Sequence, residues 1–167
     1  MREKTLSDIQ DQIDKTRDQS DDEFLKKLYT FIYHRERPAP CIQAPPNTYK
    51  RQSKRIDELF SVLPRNFRPY SLLDIGCSDG FIAEQFGEAL RIPQNSVVGL
   101  DIRPPLSKKI RFVEGSGSQF MQELAHSFDL ITVSMTLHHI WNYKTVLANC
   151  RKYLRSDGIL FIREHDA

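Results

Sequence analysis

Apolar residues in the first part of the chain recur at the three- and four-residue spacing of amphipathic helices. One series covers residues 6–13 and a second covers residues 25–32. Four prolines between residues 37 and 48 then interrupt regular structure, because proline removes a backbone donor and fixes φ. The pattern predicts two short helices and a proline-rich linker over residues 1–48, followed by a second domain over residues 49–167.

Beyond the linker, the apolar positions switch repeatedly between the period of a helix and that of a strand. A helix with a single apolar stripe comes first, formed by Ile56, Leu59, Phe60 and Leu63. Strands are then predicted near residues 70–75, 96–101, 110–113, 128–134 and 159–162, and helices near 79–90, 117–125 and 143–154. Alternating apolar strands and helices imply a parallel sheet covered on both faces. We therefore predict an α/β fold with a doubly wound, mostly parallel, Rossmann-like sheet.

Composition and charge exclude few classes of protein. With 167 residues, of which 40% are apolar, the chain can bury a core without disulfide or metal staples. Its net charge of +2 neither demands nor excludes a polyanionic partner. Cys41, Cys77 and Cys150 lack the close pairs of zinc sites, so neither a metal nor a disulfide is predicted. No apolar run approaches about 20 residues, so we expect no membrane contact and a cytoplasmic location, with the nucleus left open.

The turn after the first of these strands carries the clearest chemical signal. Residues 74–80 read Asp-Ile-Gly-Cys-Ser-Asp-Gly, and the two glycines let the backbone approach a ligand closely. About 20 residues further on, the next strand ends in Asp101, where nucleotide-binding units place the acid that holds ribose hydroxyls. Parallel sheets bind ligands at the carboxyl ends of their strands, so both signals predict one nucleoside site at that edge.

Taken in order, these motifs resemble those of the class I S-adenosylmethionine-dependent methyltransferases. Residues 74–80 are similar to the family's first motif, acid-x-Gly-x-Gly-x-Gly, with Ser78 in place of the middle glycine, and Asp101 resembles its ribose-binding acid. Residues 128–140 and 154–160 are similar to the fourth-strand motif and to the turn into the fifth strand. The resemblance covers residues 49–166 and implies an enzyme that transfers the methyl group of bound S-adenosylmethionine.

The resemblance also implies which residues line the cofactor cleft. The family often places an acid at the tip of the third strand, where this chain has Ser116, so this serine or a backbone carbonyl would meet the adenine. The full set implied for the cofactor is Asp74, Gly76, Cys77, Ser78, Gly80, Asp101, Ile102, Ser116 and Ser134.

On the acceptor side, a histidine titrates near neutral pH and can orient or deprotonate an acceptor. The candidates that follow predicted strand ends are His138, His139 and His165. In the family, the helix before the first strand often folds over the cleft, and its basic residues can contact phosphates. In this chain those residues are Lys50, Arg51, Lys54 and Arg55. They favour RNA methylation of the cap type, while a small-molecule acceptor remains open.

Two alternatives from other classes remain open. Residues 76–80 also match the Gly-x-Ser-x-Gly nucleophile elbow, which would make Ser78 the nucleophile of a serine hydrolase. Its partners would be His165 and either Asp101 or Asp129, although no glycine precedes Gly76 to form an oxyanion loop. Asp129 begins a strand, so we predict a structural role for it at the opposite edge. The second alternative is a non-catalytic cofactor-binding domain that acts on a protein partner.

The family's sheet continues beyond its fifth strand, whereas this chain ends at Ala167. We therefore expect a fragment or an unusually short relative. The fifth strand would then be an exposed sheet edge, which a protein partner or the remainder of a longer chain would cover.

Overall fold

The computed structural model of the chain describes residues 48–164, with side chains from Lys54 onward. The helices predicted before the linker lie outside the described residues, as do Cys41, His165 and the side chains of Lys50 and Arg51. The described part contains three α-helices and five strands. In chain order these are α1 (Thr48–Val62), β1 (Leu72–Ile75), α2 (Phe81–Leu90), β2 (Val97–Asp101), β3 (Arg111–Glu114), β4 (Phe128–Ser134), α3 (Tyr143–Tyr153) and β5 (Leu154–Arg163).

The five strands form one sheet in the order β3-β2-β1-β4-β5, and every neighbouring pair runs parallel. From β1 the chain moves outward to β2 and β3, then returns to the other side of β1 to form β4 and β5. The strand order therefore reverses between β1 and β4, which is where a doubly wound sheet opens a crevice beyond its carboxyl ends. The predicted α/β fold with a doubly wound, mostly parallel sheet is confirmed.

Helices cover both faces of the sheet, as the apolar runs of its strands require. Successive strand residues point to opposite faces, so Leu72 packs with α1 and α2 whereas Leu73 packs with α3. The first face buries Leu59, Leu72, Ala83, Phe86 and Leu130. The second face buries Leu73, Ile131, Val146, Cys150 and Tyr153. These two apolar clusters, one on each face of the sheet, fix the positions of the strand ends that border the site.

The prediction of a helix near residues 117–125 is wrong, because only a short 3-10 turn forms there, at Gln122–Leu124. A side chain of α3 forms hydrogen bonds with backbone groups that would otherwise pair within a helix. The Tyr153 hydroxyl accepts the Met121 N–H (2.9 Å) and donates to the Gln119 carbonyl (3.1 Å). Tertiary hydrogen bonds thus override a local periodicity that fits a helix.

Two smaller details of the predicted pattern are also wrong. Phe60, placed in the apolar stripe of α1, is 47% exposed, whereas its neighbour Leu59 is fully buried. Leu154, placed on the last helix, instead begins β5, because it pairs with Phe128 at the start of β4.

Asp129, at the start of β4, ties together the amino-terminal edge of the sheet. One carboxylate oxygen accepts the backbone N–H groups of Tyr70 (2.8 Å) and Ser71 (3.0 Å), and the other accepts a guanidinium N–H of Arg155 (3.0 Å). Burial raises the pKa of Asp129, but hydrogen bonds from the Tyr70 N–H and the Ser71 hydroxyl, together with the Arg155 charge, outweigh burial and hold the pKa below its usual range. The predicted position of Asp129, at the edge opposite the ligand edge, is confirmed.

Within the part of the chain that the structure describes, β5 forms one edge of the sheet, as predicted. Ile162 of this strand is 41% exposed. No helix among residues 48–164 has both the length and the apolar character that crossing a membrane requires.

Candidate cofactor and acceptor site

The turn that follows β1 depends on Gly76. Its N–H donates to the Leu100 carbonyl of β2 (2.8 Å), and its φ of +76° lies in the left-handed region that favours glycine. A Cβ at this position would also overlap the side chain of Thr136, just beyond β4. The glycine is therefore required both by its backbone conformation and by the close approach of a neighbouring loop.

Asp101, at the tip of β2, holds this turn in place. Ser78, at the position of the middle glycine in the family motif, has a φ of +53°, and its N–H donates to Asp101 Oδ2 (2.8 Å). The N–H of Arg103 donates to Asp101 Oδ1 (3.3 Å). Asp101 is nevertheless partly exposed at the carboxyl edge. Each carboxylate oxygen has two lone-pair sites, so each can accept one more hydrogen bond, as two ribose hydroxyls would provide.

Two other predicted cofactor residues lie near Asp101 but differ in exposure. Gly80, with a φ of +80°, is buried, and a Cβ there would come within 2.9 Å of side-chain atoms of Pro105 and Ile110. It therefore allows the loop after β2 to cross closely over the start of α2. Ile102, directly after Asp101, is 51% exposed.

The tip of β3 lies beside Asp101, because the Gly115 N–H donates to the Asp101 carbonyl (2.9 Å). Ser116, the residue predicted to meet the adenine, is half-buried there, and its hydroxyl lies 2.8 Å from that of Ser118. The positions predicted for adenine and ribose thus occupy adjacent strand tips.

Asp74 and Cys77 lie beneath the turn and not on its open side. Asp74 is 3% exposed and accepts a hydrogen bond from the Thr132 hydroxyl of β4 (2.6 Å). Burial raises the pKa of Asp74 to about 7, against the opposing effects of this hydrogen bond and of the Arg55 charge. The buried Cys77 thiol packs against Gly99, and burial raises its pKa. Neither side chain reaches the open edge, which limits their predicted cofactor contacts to backbone atoms.

Ser134, the last residue of β4, has a buried hydroxyl with no hydrogen-bond partner among the residues described. Leaving such a group unpaired costs on the order of 1–3 kcal/mol, so a ligand or a water normally completes it. Since β4 neighbours β1, this unsatisfied hydroxyl lies across the strand-order reversal from the tip of β2.

Glu164 lies directly after β5, at the carboxyl end of a predicted strand, and this position predicts that it borders the acceptor pocket. Its Oε1 accepts the backbone N–H groups of Thr136 (2.7 Å) and Leu137 (2.6 Å), and its Oε2 lies 2.6 Å from His138 Nδ1. Burial raises the pKa of Glu164, but these three hydrogen bonds outweigh burial and hold the pKa below its usual range. The sequence predicts this position of Glu164 but not its three partners, which lie in a distant segment.

The predicted catalytic residues His138 and His139 lie side by side in the 3-10 turn Leu137–His139, with ring centroids 3.9 Å apart. The His138 side chain is 33% exposed and is the one that Glu164 binds. The third predicted histidine, His165, lies outside the described residues.

Among the described side chains, the basic cluster predicted to bind substrate is represented by Arg55, which is half-buried and whose charge lowers the pKa of Asp74, and by Lys54. The Lys54 side chain is 74% exposed, and its ammonium lies 3.8 Å from Glu58 Oε1, one turn further along α1. Glu58 also accepts a hydrogen bond from Arg163 Nε (2.5 Å), which ties α1 to the end of β5. Lys54 is thus engaged on the surface of its own helix.

These features define the class of protein. A doubly wound parallel sheet, a glycine turn after β1 and an acid at the tip of β2 that holds this turn make up a nucleoside-binding domain. Comparison with known proteins narrows the class. Residues 48–167 match the sequence profile of the methyltransferase domain, and the chain belongs to that family. The resemblance to the class I S-adenosylmethionine-dependent methyltransferases is thereby confirmed.

Two curated relatives are methyltransferases that are named for small molecules. The chain is 28% identical over 126 residues to the mitochondrial ubiquinone biosynthesis O-methyltransferase of Homo sapiens, covering 64% of this chain and 33% of that protein. It is 30% identical over 115 residues to trans-aconitate 2-methyltransferase of Deinococcus radiodurans, covering 64% of this chain and 42% of that protein. The chain therefore spans less than half the length of these relatives.

Solved structures show the same fold. The S-adenosylmethionine dependent methyltransferase of Mesorhizobium loti superposes with a TM-score of 0.51 over 64% of this chain and 50% of that chain, at 20% identity. S-adenosylmethionine is the cofactor of the family. The residues at the carboxyl edge fit it, because Asp101 offers two acceptor oxygens to a ribose and Ser134 offers an unsatisfied buried hydroxyl. Which edge residues contact the cofactor stays a prediction.

Proposed function

We propose that this chain binds S-adenosylmethionine at the carboxyl edge of its sheet and transfers the methyl group to a small-molecule acceptor. The observation that carries the proposal is the contact of Asp101 with the glycine turn. This contact holds the partly exposed Asp101 carboxylate, whose oxygens can each accept one more hydrogen bond, beside a turn whose backbone a ligand can approach closely. This arrangement suits a nucleoside whose ribose presents two neighbouring hydroxyls.

Two observations favour a small acceptor over RNA. The curated relatives are named for ubiquinone biosynthesis and for trans-aconitate, both of which concern small molecules. Lys54 of the basic cluster is paired along its own helix with Glu58. The preference for RNA drawn from that cluster stays a prediction without further support.

When bound, S-adenosylmethionine supplies an electrophilic methyl group on a sulfonium centre. The residues of the chain hold the reactants. Asp101 orients the ribose, the turn at Gly76 lets the ligand approach the backbone, and residues 135–138 border the methyl acceptor. Positioning of this kind contributes on the order of 7–11 kcal/mol to catalysis in favourable cases.

The serine hydrolase alternative loses its support. Asp101, one of its two possible triad acids, accepts the backbone N–H of Ser78, and the other, Asp129, lies at the opposite edge of the sheet. Membership of the methyltransferase domain family accounts for the same glycine turn without a nucleophile.

The proposal is tested by isothermal titration of the purified chain with S-adenosylhomocysteine and by transfer of label from methyl-tritiated S-adenosylmethionine. The acceptors offered are a capped RNA transcript and the low-molecular-weight fraction of a cell extract. We expect binding, with label entering the small-molecule fraction. Label in the RNA would restore the RNA prediction, and binding without transfer would favour the non-catalytic alternative. A chain that does not bind S-adenosylhomocysteine refutes the proposal.

A further inference from the structure

A cavity of about 420 Å3 lies at the amino-terminal edge of the sheet, opposite the edge predicted to hold the cofactor. Its volume is within the range of about 300–1,000 Å3 that is typical of small-molecule sites. The lining comes from the segment before β1, the start of β4 and the first half of β5, and consists of Pro64, Asn66, Phe67, Arg68, Asp129, Asp157 and Ile159. Neither the predicted cofactor contacts nor the methyl transfer uses this cavity.

The segment before β1 supplies a cationic group that is fixed in place. The Phe67 N–H donates to the Pro64 carbonyl (2.9 Å), which closes a turn. Arg68 Nη1 donates to the carbonyls of Arg65 (2.8 Å) and Phe67 (2.9 Å), so the guanidinium is held against this turn. A guanidinium has five N–H groups, and those on Nε and Nη2 have no partner among the described residues. Two such N–H groups side by side bind a carboxylate in a bidentate manner.

A bulge in β5 supplies a carboxylate to the same lining. The pairing between the strands advances by two positions in β4, from residue 128 to 130, and by five positions in β5, from residue 154 to 159. The surplus residues of β5 are left unpaired, and bulges of this kind redirect side chains beside binding sites. Asp157 lies in the bulge, is exposed, and forms no hydrogen bond or ion pair with the described residues. Its negative charge is therefore uncompensated.

The rest of the lining adds no further uncompensated charge. One oxygen of Asp129 forms an ion pair with Arg155 (3.0 Å), and the other accepts backbone N–H groups. Phe67 and Ile159 are half-buried and pack against the apolar cluster on the first face of the sheet. The cavity thus combines one cation, one anion and an apolar floor.

We propose that this cavity binds a small zwitterion with an apolar body, either a free apolar amino acid or a dipeptide. The ligand carboxylate pairs with the Nε–H and Nη2–H groups of Arg68, and the ligand ammonium pairs with Asp157. The apolar part packs on Phe67 and Ile159. A ligand that carries a single charge leaves either Arg68 or Asp157 without a counter-ion and therefore binds more weakly.

The ligand class is tested by 1H–15N NMR titration of the labelled chain with L-phenylalanine and with L-leucyl-L-phenylalanine. The Arg68 Nε–H signal, identified by its loss in Arg68→Gln, should shift with at least one of them, and the tighter ligand identifies the source of the zwitterion. 3-Phenylpropionate lacks the ammonium and phenethylamine lacks the carboxylate. Each should bind at least about 10-fold more weakly than the zwitterion, because one charged hydrogen bond is lost.

Two variants assign the two contacts. Arg68→Gln should weaken binding of the zwitterion about 10-fold or more and leave the affinity for phenethylamine unchanged. Asp157→Asn should weaken it by a similar factor and leave the affinity for 3-phenylpropionate unchanged. Asp157 is exposed and has no partner among the described residues, so this variant keeps the fold. The matched controls are Arg65→Gln and Asp57→Asn, which remove the same charges from exposed residues outside the lining and should bind like the wild type.

Four outcomes overturn the proposal. These are no shift of the Arg68 signal with either zwitterion, equal affinity for a ligand with one charge, equal losses in the variants and their controls, and displacement of the zwitterion by S-adenosylhomocysteine. Displacement would place the ligand at the carboxyl edge of the sheet. A chain that does not bind S-adenosylhomocysteine refutes the proposed function but leaves this test intact, because the cavity lies at the other edge.

Discussion

Replacing Asp101 by alanine tests the assignment on which the cofactor site depends. The change removes the acceptor of two backbone N–H groups, from Ser78 and Arg103, and of the two ribose hydroxyls assigned to it. One hydrogen bond to a charged group contributes about 1.5–3 kcal/mol. Loss of one such net contribution lowers the affinity for S-adenosylhomocysteine roughly 10- to 150-fold, since each 1.4 kcal/mol is a factor of ten. Isothermal titration calorimetry measures this change directly.

Two companion variants separate the ligand contact from a general loss of charge. Asp101→Asn keeps the shape but turns an NH2 group toward a backbone donor, so most of the affinity should be lost as well. Glu114→Ala removes a carboxylate from the β3 register partner of Asp101 and should bind like the wild type. Thermal unfolding by circular dichroism checks that each variant is folded. Wild-type affinity in Asp101→Ala, or an equal loss in Glu114→Ala, refutes the reasoning.

Three further variants test the framework around the site. Gly76→Ala combines a strained φ with overlap against Thr136, so it should lower the free energy of unfolding by about 1–3 kcal/mol, and adding Thr136→Ala should recover part of the loss in urea denaturation. The pKa of Asp74 is raised from 3.8 to about 7 on folding, so the folded state binds more protons in that window and becomes less stable as the pH rises. The unfolding free energy of the wild type minus that of Asp74→Asn should fall by up to about 4 kcal/mol across this range, and a flat difference contradicts the assignment. Asp129→Ala should cost about 1–3 kcal/mol of stability with unchanged binding of S-adenosylhomocysteine, and weaker binding at full stability would contradict its structural role.

The fold and the cofactor half of the site follow from local signals. Each strand is a short apolar run, each of the three described helices has an apolar stripe, and their alternation permits few arrangements other than a parallel sheet. Gly76 and Asp101 are predictable because their roles depend on strand ends, which the same periodicity locates. The turn geometry then brings them together through Ser78.

The position of Glu164 at a strand end is predictable in the same way, but the contacts of the acceptor half are not, because they join segments that are distant in sequence. Glu164 binds backbone and ring atoms of residues 136–138, which lie 26 to 28 positions earlier. These contacts exist only once β5 is known to lie beside β4. The missing helix near residue 120 has the same origin, since the hydroxyl that captures its backbone belongs to Tyr153. Periodicity carries no information about such partners.

The strand order also has a consequence for synthesis on the ribosome. The segment from β1 to β3 is contiguous in the chain, so the turn and the acid that together would receive the nucleoside can assemble as soon as the first half of the sheet emerges. The opposite wall must wait for β4 and then for Glu164, after most of the domain has been translated. A nascent chain arrested before residue 128 would thus contain the nucleoside-binding turn, while the side of β1 that pairs with β4 is still exposed. A chaperone that recognises exposed apolar strands would bind there.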